Sequence, residues 1–489
     1  MQIFPESLSK LWILWEIRVM VALSLILQSI LIVFGNRRKH SNSSWLRLLW
    51  LVYLSADWVA TVSLSILSSN SSTNNDEIDY QDRIITAFWA PFLLLHLGGP
   101  DTITAYALED NELWLRHLLL LLVQVSLAVY VFLKTWNARP LDFLAIPMFI
   151  AGMIKFAERT WALRSASSKQ FRASMFRHPD PGPDYARYMD ELRIKKREGF
   201  EVDIERVREA PTIGDISFTA PSIFPNTANL QHANFFFHFF KRLFADLILS
   251  IHDILESQSF FQNRFYHEAF KVVEIELGFI YDLFYTKAVL YTFNGAILRL
   301  ISSVSVISVS ATFLIIVEKQ DYSAANVMIT YMLLAGAIIL DFYAVILFLR
   351  SDWAMLWLCK HKKTADLLYP VISHMRFGEN KSWSNEIRQY NLISFCCEDK
   401  PGKYRFLRKV MAICRNSTKS VEVSGQLKEL IFLQLLKKSR CATKYEDYKE
   451  LCARRVEWVL QNENCIDKLH SVDVVDVNDR LAAGCRIPA

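Results

Sequence analysis

Two carboxylates stand among apolar neighbours: Asp57, mid-way along residues 46–67, and Asp341, within residues 327–349. A charge at the centre of a hydrocarbon layer costs about 2.5–3.5 kcal/mol even on lenient insertion scales, so each must face a polar cavity or a partner. Facing a cavity, they would serve a proton- or cation-coupled pathway. Facing a partner, they would fix helix packing through interhelical hydrogen bonds, Asp57 with Arg18 or Lys155. Glu16 and Arg18, near the end of an apolar run, read as snorkelling or paired side chains.

His96 and Asp101 are separated by four residues, the spacing at which some membrane acyltransferases hold a histidine base with an aspartate. Gly98, Gly99 and Pro100 fill most of that interval, and no phosphate-binding block follows. A broken helix suits these residues better, because the glycines free the backbone and the proline removes a donor, leaving carbonyls and amides to line a site. The plainer alternative is close helix contact at the glycines, with Asp101 capping the next helix. A second charged group, Glu274, Glu276, Asp282 and Lys287, precedes an apolar run. It reads either as a solvated helix with internal ion pairs or as a gate or ion site. No P-loop, Gly-x-Ser-x-Gly or His-Glu-x-x-His occurs, which removes the commonest nucleotide, esterase and zinc-protease readings. No metal or other cofactor is expected, and acyl transfer is a remote alternative.

The elements that must carry these residues follow from composition. With 489 residues, 52% apolar, 33 Phe and 13 Trp, the chain holds more apolar side chains than one soluble core uses. Its mean hydropathy is +0.18. The charged fraction of 21% must therefore be kept apart from apolar stretches, the pattern of a multi-pass membrane protein. A net charge of +5 over this length does not argue for nucleic acid.

Apolar stretches at 11–34, 46–67, 113–133, 141–157, 296–317 and 327–349 read as spans, and 84–108 as a third in chain order, re-entrant or broken. Arg37, Arg38, Lys39 and Arg47 put the first loop in the cytoplasm, and the acidic, Ser/Asn-rich 68–82 loop outside. The N-terminus is then outside and the C-terminus inside. Of the sequons at Asn42, Asn70, Asn380 and Asn416, only Asn70 lies where glycosylation occurs. All eight cysteines follow the last apolar stretch, so reduced cytosolic thiols are expected, with Cys359 a palmitoylation candidate. This divides the chain into a membrane bundle (1–157), a basic cytosolic insert (158–281), a membrane hairpin (282–357) and a cytosolic tail (358–489). Within the insert, the aromatic stretch at 235–240 with Lys241 and Arg242 reads as an interfacial helix or as packing on the insert's own core. In the tail, 427–437 and 449–459 read as amphipathic helices.

The run Phe88-Trp89-Ala90-Pro91-Phe92-Leu93-Leu94-Leu95-His96-Leu97-Gly98-Gly99-Pro100-Asp101 continues to Thr102-Ile103-Thr104-Ala105, and Leu108-Glu109-Asp110-Asn111-Glu112-Leu113-Trp114 follows. It resembles the plant membrane-protein family called domain of unknown function 4220. Blocks at 53–57, Lys155 with Glu158-Arg159-Thr160, 273–277, Tyr281-Asp282 with Tyr285-Thr286-Lys287-Ala288, and 351–353 match it too. The resemblance implies a plant multi-pass integral membrane protein and no known activity. Members commonly continue into a region called domain of unknown function 594, whose Trp-His-Ile-Ala-Thr-Asp-like block does not occur here.

The expectation is an all-α polytopic protein with about seven transmembrane helices, a cytosolic helical insert and tail, in the plasma membrane or an endomembrane. It is expected to be a scaffold or signalling component recruiting cytosolic proteins, since the two polar blocks hold about half the chain. The alternative is an ion or metabolite transporter using the intramembrane carboxylates.

Overall fold

The computed structural model describes residues 6–39, 45–70, 77–175, 227–245, 251–291, 293–316, 322–361, 385–390 and 418–441, with a few shorter pieces between them. The chain is an all-α polytopic membrane protein. Among the described residues, six helices are long and apolar enough to cross a bilayer: Trp15–Lys39, Arg47–Ser69, Trp114–Thr135, Pro140–Ala166, Gly295–Ile316 and Ala324–Arg350. Each exceeds the roughly 20 residues that a rise of about 1.5 Å per residue needs to span the hydrocarbon layer.

In chain order the elements of this bundle are α1 (Glu6–Phe34), α2 (Trp45–Asn70), α3 (Glu77–Ala87), α4 (Ala90–Leu97), α5 (Leu108–Glu112), α6 (Trp114–Thr135), α7 (Pro140–Ala166) and α8 (Ser168–Met175). After them come α9 (Ala228–Phe240), α10 (Ile251–Gln262), α11 (Tyr266–Tyr285), α12 (Phe293–Ile316), α13 (Ala324–Arg350) and α14 (Asp352–Lys360). Short strands β1 (Glu386–Tyr390) and β2 (Thr418–Glu422) pair antiparallel, Glu386 opposite Glu422, and α15 (Gly425–Cys441) follows. The strand pair is a small departure from the all-helical tail expected; α15 covers the amphipathic stretch at 427–437, and 449–459 lies outside the described residues. The chain forms two compact units, one of residues 1–250 with 270–423, the other of 251–269 with 424–489. In the second, the Gln258 side-chain amide of α10 donates to the Ser439 carbonyl of α15 at 2.7 Å.

The third expected span is a broken one. Pro91 lacks an N–H and stands in the first turn of α4, so the chain turns at Phe88-Trp89 and restarts as an eight-residue helix. Trp89 N–H closes back on Thr86 O at 3.0 Å, while Leu93 N–H bonds Trp89 O at 3.1 Å. Together α3, α4 and the residues that follow run beside α1 from Arg18 to Leu31. Asp82 of α3 lies 4.0 Å from Arg18 near the middle of α1, and Thr102, beyond α4, donates to Leu31 O near its end.

Lipid is as apolar as leucine, so the bundle is held by close packing and polar contacts rather than by expulsion of water. Trp89, Phe92, Leu93 and Leu94 of the broken element are fully buried at its centre. The Trp89 indole N–H donates to Thr330 Oγ1 of α13 at 2.9 Å. A Cβ on Gly98 would stand 2.7 Å from the Lys155 backbone, and one on Gly152 2.9 Å from Pro91 O, so both glycines set how closely α4 and α7 approach. Gly99 adopts φ +63, the left-handed conformation that glycine enters without strain.

The aromatic stretch of α9 packs inward: Leu230, Ala233, Phe236 and Phe237 are buried, and the Phe237 ring lies 5.6 Å from Phe279 and 6.1 Å from Trp353. Of the two readings of that stretch, core packing accounts for this face.

Candidate functional site

α7 supplies the site's framework. Lys155, Glu158 and Arg159 recur at helical spacing, which sets all three toward one side of the helix. Because α7 runs on to Ala166, Glu158 and Arg159 belong to the membrane helix rather than to the insert, where the sequence boundary at 157 had placed them.

Asp57 of α2 meets Arg159 in a two-pronged ion pair, with N–O distances of 2.6 and 2.9 Å. Arg159 also donates to Leu97 O at 3.0 Å, capping the end of α4. The expected partners of Asp57, Arg18 and Lys155, are engaged elsewhere. Arg18 donates to Asn326 Oδ1 at 2.8 Å, and Lys155 Nζ stands 2.9 Å from Asp341 Oδ1. Asp341 accepts a second bond from Ser303 Oγ at 2.9 Å. Asp57 and Asp341 therefore do not share one site; they bind two cations a turn apart on α7.

Asp101 does not cap α5, whose N-cap is Ala107. Its carboxylate takes Arg299 of α12 at 2.6 Å and Lys287 at 3.6 Å. Lys287, in the 3-10 turn Lys287–Leu290, is fully buried, donates to Gly99 O at 3.2 Å and lies 3.7 Å from Glu158 Oε2. Arg299 Nε lies 3.8 Å from Glu158 Oε1. Four carboxylates (Asp57, Asp101, Glu158, Asp341) thus face four cations (Lys155, Arg159, Lys287, Arg299), and the cluster carries no net charge. That balance is what lets charges lie in a low-dielectric bundle, where an unpaired one is strongly unfavourable.

A cavity of about 50 Å³ opens beside this cluster, where α4 ends. Its polar wall is Gln28, His96, Asp101, Lys155 and Asp341; Gly99 and Pro100 supply backbone, and Ile32, Leu95 and Leu340 supply apolar surface. The structure thus gathers five of the seven intramembrane residues expected from sequence: His96, Gly99, Pro100, Asp101 and Asp341. Gly98 packs against Lys155 and Asp57 is sequestered by Arg159, so neither lines the cavity. His96 Nδ1 is 2.9 Å from Ser24 Oγ, both buried. His96 is held by Ser24 and Asp101 by Arg299 and Lys287, so the histidine–aspartate dyad of an acyltransferase is not assembled.

Two members of the second charged group take separate partners. Lys287 joins the buried cluster, while Asp282 lies 3.4 Å from Lys39 and accepts from the Trp353 indole at 3.2 Å. Burial pushes the Asp282 carboxyl up, and Lys39 opposes that shift. Glu276 is buried, and burial pushes its carboxyl up to about 7. Among the described residues, no group of His, Cys, Asp and Glu is placed to hold a metal. Cys359, in α14, is half-buried and free. Asn70 ends α2, and the other three sequons lie outside the described residues.

Lys155, Glu158 and Arg299 are the site residues missed from sequence as members of a cluster. A signal existed: each is an ionisable residue in or at the edge of an apolar run. Arg159 was visible too, but only within the block Glu158-Arg159-Thr160.

Broken helix, buried charge cluster and six long apolar helices define a polytopic α-helical integral membrane protein. The chain belongs to the family described as Domain of unknown function (DUF4220), whose model matches residues 50–396. No curated protein and no solved structure matches it.

Proposed function

We propose that this membrane protein carries a small charged or polar solute through its helix bundle, using the cavity at the end of α4. The observation that carries the reading is the Lys155–Asp341 ion pair on the cavity wall, 2.9 Å long. The other carboxylates of the cluster are fastened by Arg159, or by Arg299 with Lys287; Asp341 is held by one flexible lysine and a serine hydroxyl. Ionisable residues inside spans mark substrate and ion pathways, and discontinuous helices form many transporter sites within the bilayer. The fit of charge and space supports transport over the scaffold role expected from the polar blocks.

The test uses the full chain in proteoliposomes, challenged in turn with Na⁺, K⁺, Cl⁻, a pH step and a mixture of isotope-labelled small metabolites. At least one should give protein-dependent flux that Asp341→Asn lowers by about tenfold or more, the consequence of removing one partner of a part-buried pair. Unaltered flux in that variant, or none in the parent, removes the transport reading.

The proposed orientation puts the N-terminus on the non-cytoplasmic side and the C-terminus in the cytoplasm, in the plasma membrane or an endomembrane. A glycosidase mobility shift lost in Asn70→Gln supports it; a shift that persists there and is lost on removing Asn380 or Asn416 reverses it. A scaffold role would rest on the second unit, where Leu433 and Leu435 of α15 are exposed. Deleting residues 425–441 would then strip cytosolic proteins from a pull-down.

A further inference from the structure

The substrate class follows from charge balance at the cavity, on the transport reading above. Every carboxylate of the buried cluster has its cation. A lone cation arriving at Asp341 would leave the neutral cluster one charge positive, and a lone anion arriving at Lys155 would leave it one charge negative. A solute bearing both charges replaces both halves of the pair at no net charge. Ser303 holds Asp341 Oδ2 at 2.9 Å, which leaves Oδ1, now taken by the Lys155 ammonium, as the place for another ammonium. The cavity's about 50 Å³ accommodates roughly one or two water molecules, so the solute is small and enters only as the pair parts. Ile32, Leu95 and Leu340 bound the remaining space with aliphatic surface, and Gln28 and His96 add polar edges.

We propose that the Lys155–Asp341 pair recognises a small zwitterion of the α-amino-acid type, its carboxylate taken by Lys155, its ammonium by Asp341 and its short side chain lying against Ile32, Leu95 and Leu340. Recognition by two opposed charges discriminates against any molecule carrying one, because a single charge leaves the otherwise neutral cluster with a net charge inside the bundle.

The experiment is equilibrium binding of labelled alanine to the purified full-length protein at neutral pH. Propionate and ethylamine serve as single-charge competitors, and size-exclusion profile and Tm check folding. The parent protein should bind alanine saturably, with each competitor weaker than unlabelled alanine by about tenfold or more. Asp341→Asn and Lys155→Gln should each lose about tenfold or more in affinity. The exchange variant Lys155→Asp/Asp341→Lys keeps the pair and its neutrality with polarity reversed, and should bind alanine more tightly than either single variant. It also answers the objection that a single variant merely misfolds. No binding by the parent, equal competition by ethylamine or propionate, or full binding by folded Lys155→Gln overturns the proposal. Flux of another solute without alanine binding would leave transport standing and this assignment refuted; alanine binding with no flux of any solute would do the reverse.

Discussion

Lys287 Nζ donates to Gly99 O at 3.2 Å across 188 positions of chain, fastening the turn that leads into α12 to the break after α4. Main-chain bonds reinforce that junction, from Lys287 N–H to Asp101 O at 3.2 Å and from Thr104 N–H to Tyr285 O at 2.8 Å. Replacing Lys287 by Met removes the cation between Asp101 and Glu158. Backbone amides of 99–105 should then exchange hydrogen faster by about tenfold or more, because a broken buried network costs several kcal/mol. Unchanged exchange there would show that the main-chain bonds suffice.

The Asp57–Arg159 pair is expected to be structural. Arg159 is 3% exposed, so Asp57→Asn leaves a buried guanidinium without its counter-charge. The cost is about 2–4 kcal/mol, read as a lowered Tm of the purified protein. Arg159→Gln added to Asp57→Asn should recover part of that loss, and a double-mutant cycle measures the coupling. Solute flux per folded molecule should not change in Asp57→Asn, in contrast to Asp341→Asn.

Gly98 and Gly99 should respond differently to side chains. Gly98→Ala drives a methyl group into the Lys155 backbone, which overpacking data put at about 1–3 kcal/mol. At Gly99 the nearest atom to a Cβ is 3.6 Å away, so space is available and the strain lies in φ +63. Gly99→Ala should cost about 1–2 kcal/mol, and Gly99→Asn less, since asparagine tolerates the left-handed region. A Tm series separates the two causes.

Glu276 makes stability depend on pH. Its carboxyl rises from 4.5 to about 7 on folding because burial disfavours the charged form. The folded chain therefore holds this proton more tightly than the unfolded chain, and stability falls as pH rises from 4.5 to about 7. Below that window both states are protonated, and the contribution is level. Glu276→Gln should remove this slope and raise Tm near pH 7; a thermal-shift series across the window checks it, and an unchanged slope would assign the pH dependence to another group.

The helix break was legible in Gly98, Gly99, Pro100 and Asp101, because glycine and proline act on the backbone locally. Asp57 and Asp341 were legible as costly charges, but their partners were not. Arg159 was legible only as part of the block Glu158-Arg159-Thr160, and Lys287 as part of a solvated helix or of a gate or ion site, although it is fully buried. Glu158 was marked by its place at the edge of an apolar run and in the block Glu158-Arg159-Thr160, neither of which names its partners.

Sequence alone determined what depends on composition along the chain: the long apolar helices, the interruption within the third, the charged residues inside the bundle and the family. Those properties follow from hydropathy, helix rise and backbone stereochemistry, which act over a few residues. Only the tertiary structure decided that Asp57 meets Arg159 while Asp341 meets Lys155, that Lys287 enters the cluster, and that a cavity forms where α4 ends. Pairings across 100 or more positions depend on how each helix is rotated about its axis and how closely its neighbour approaches. A residue's neighbours in the chain leave both undetermined.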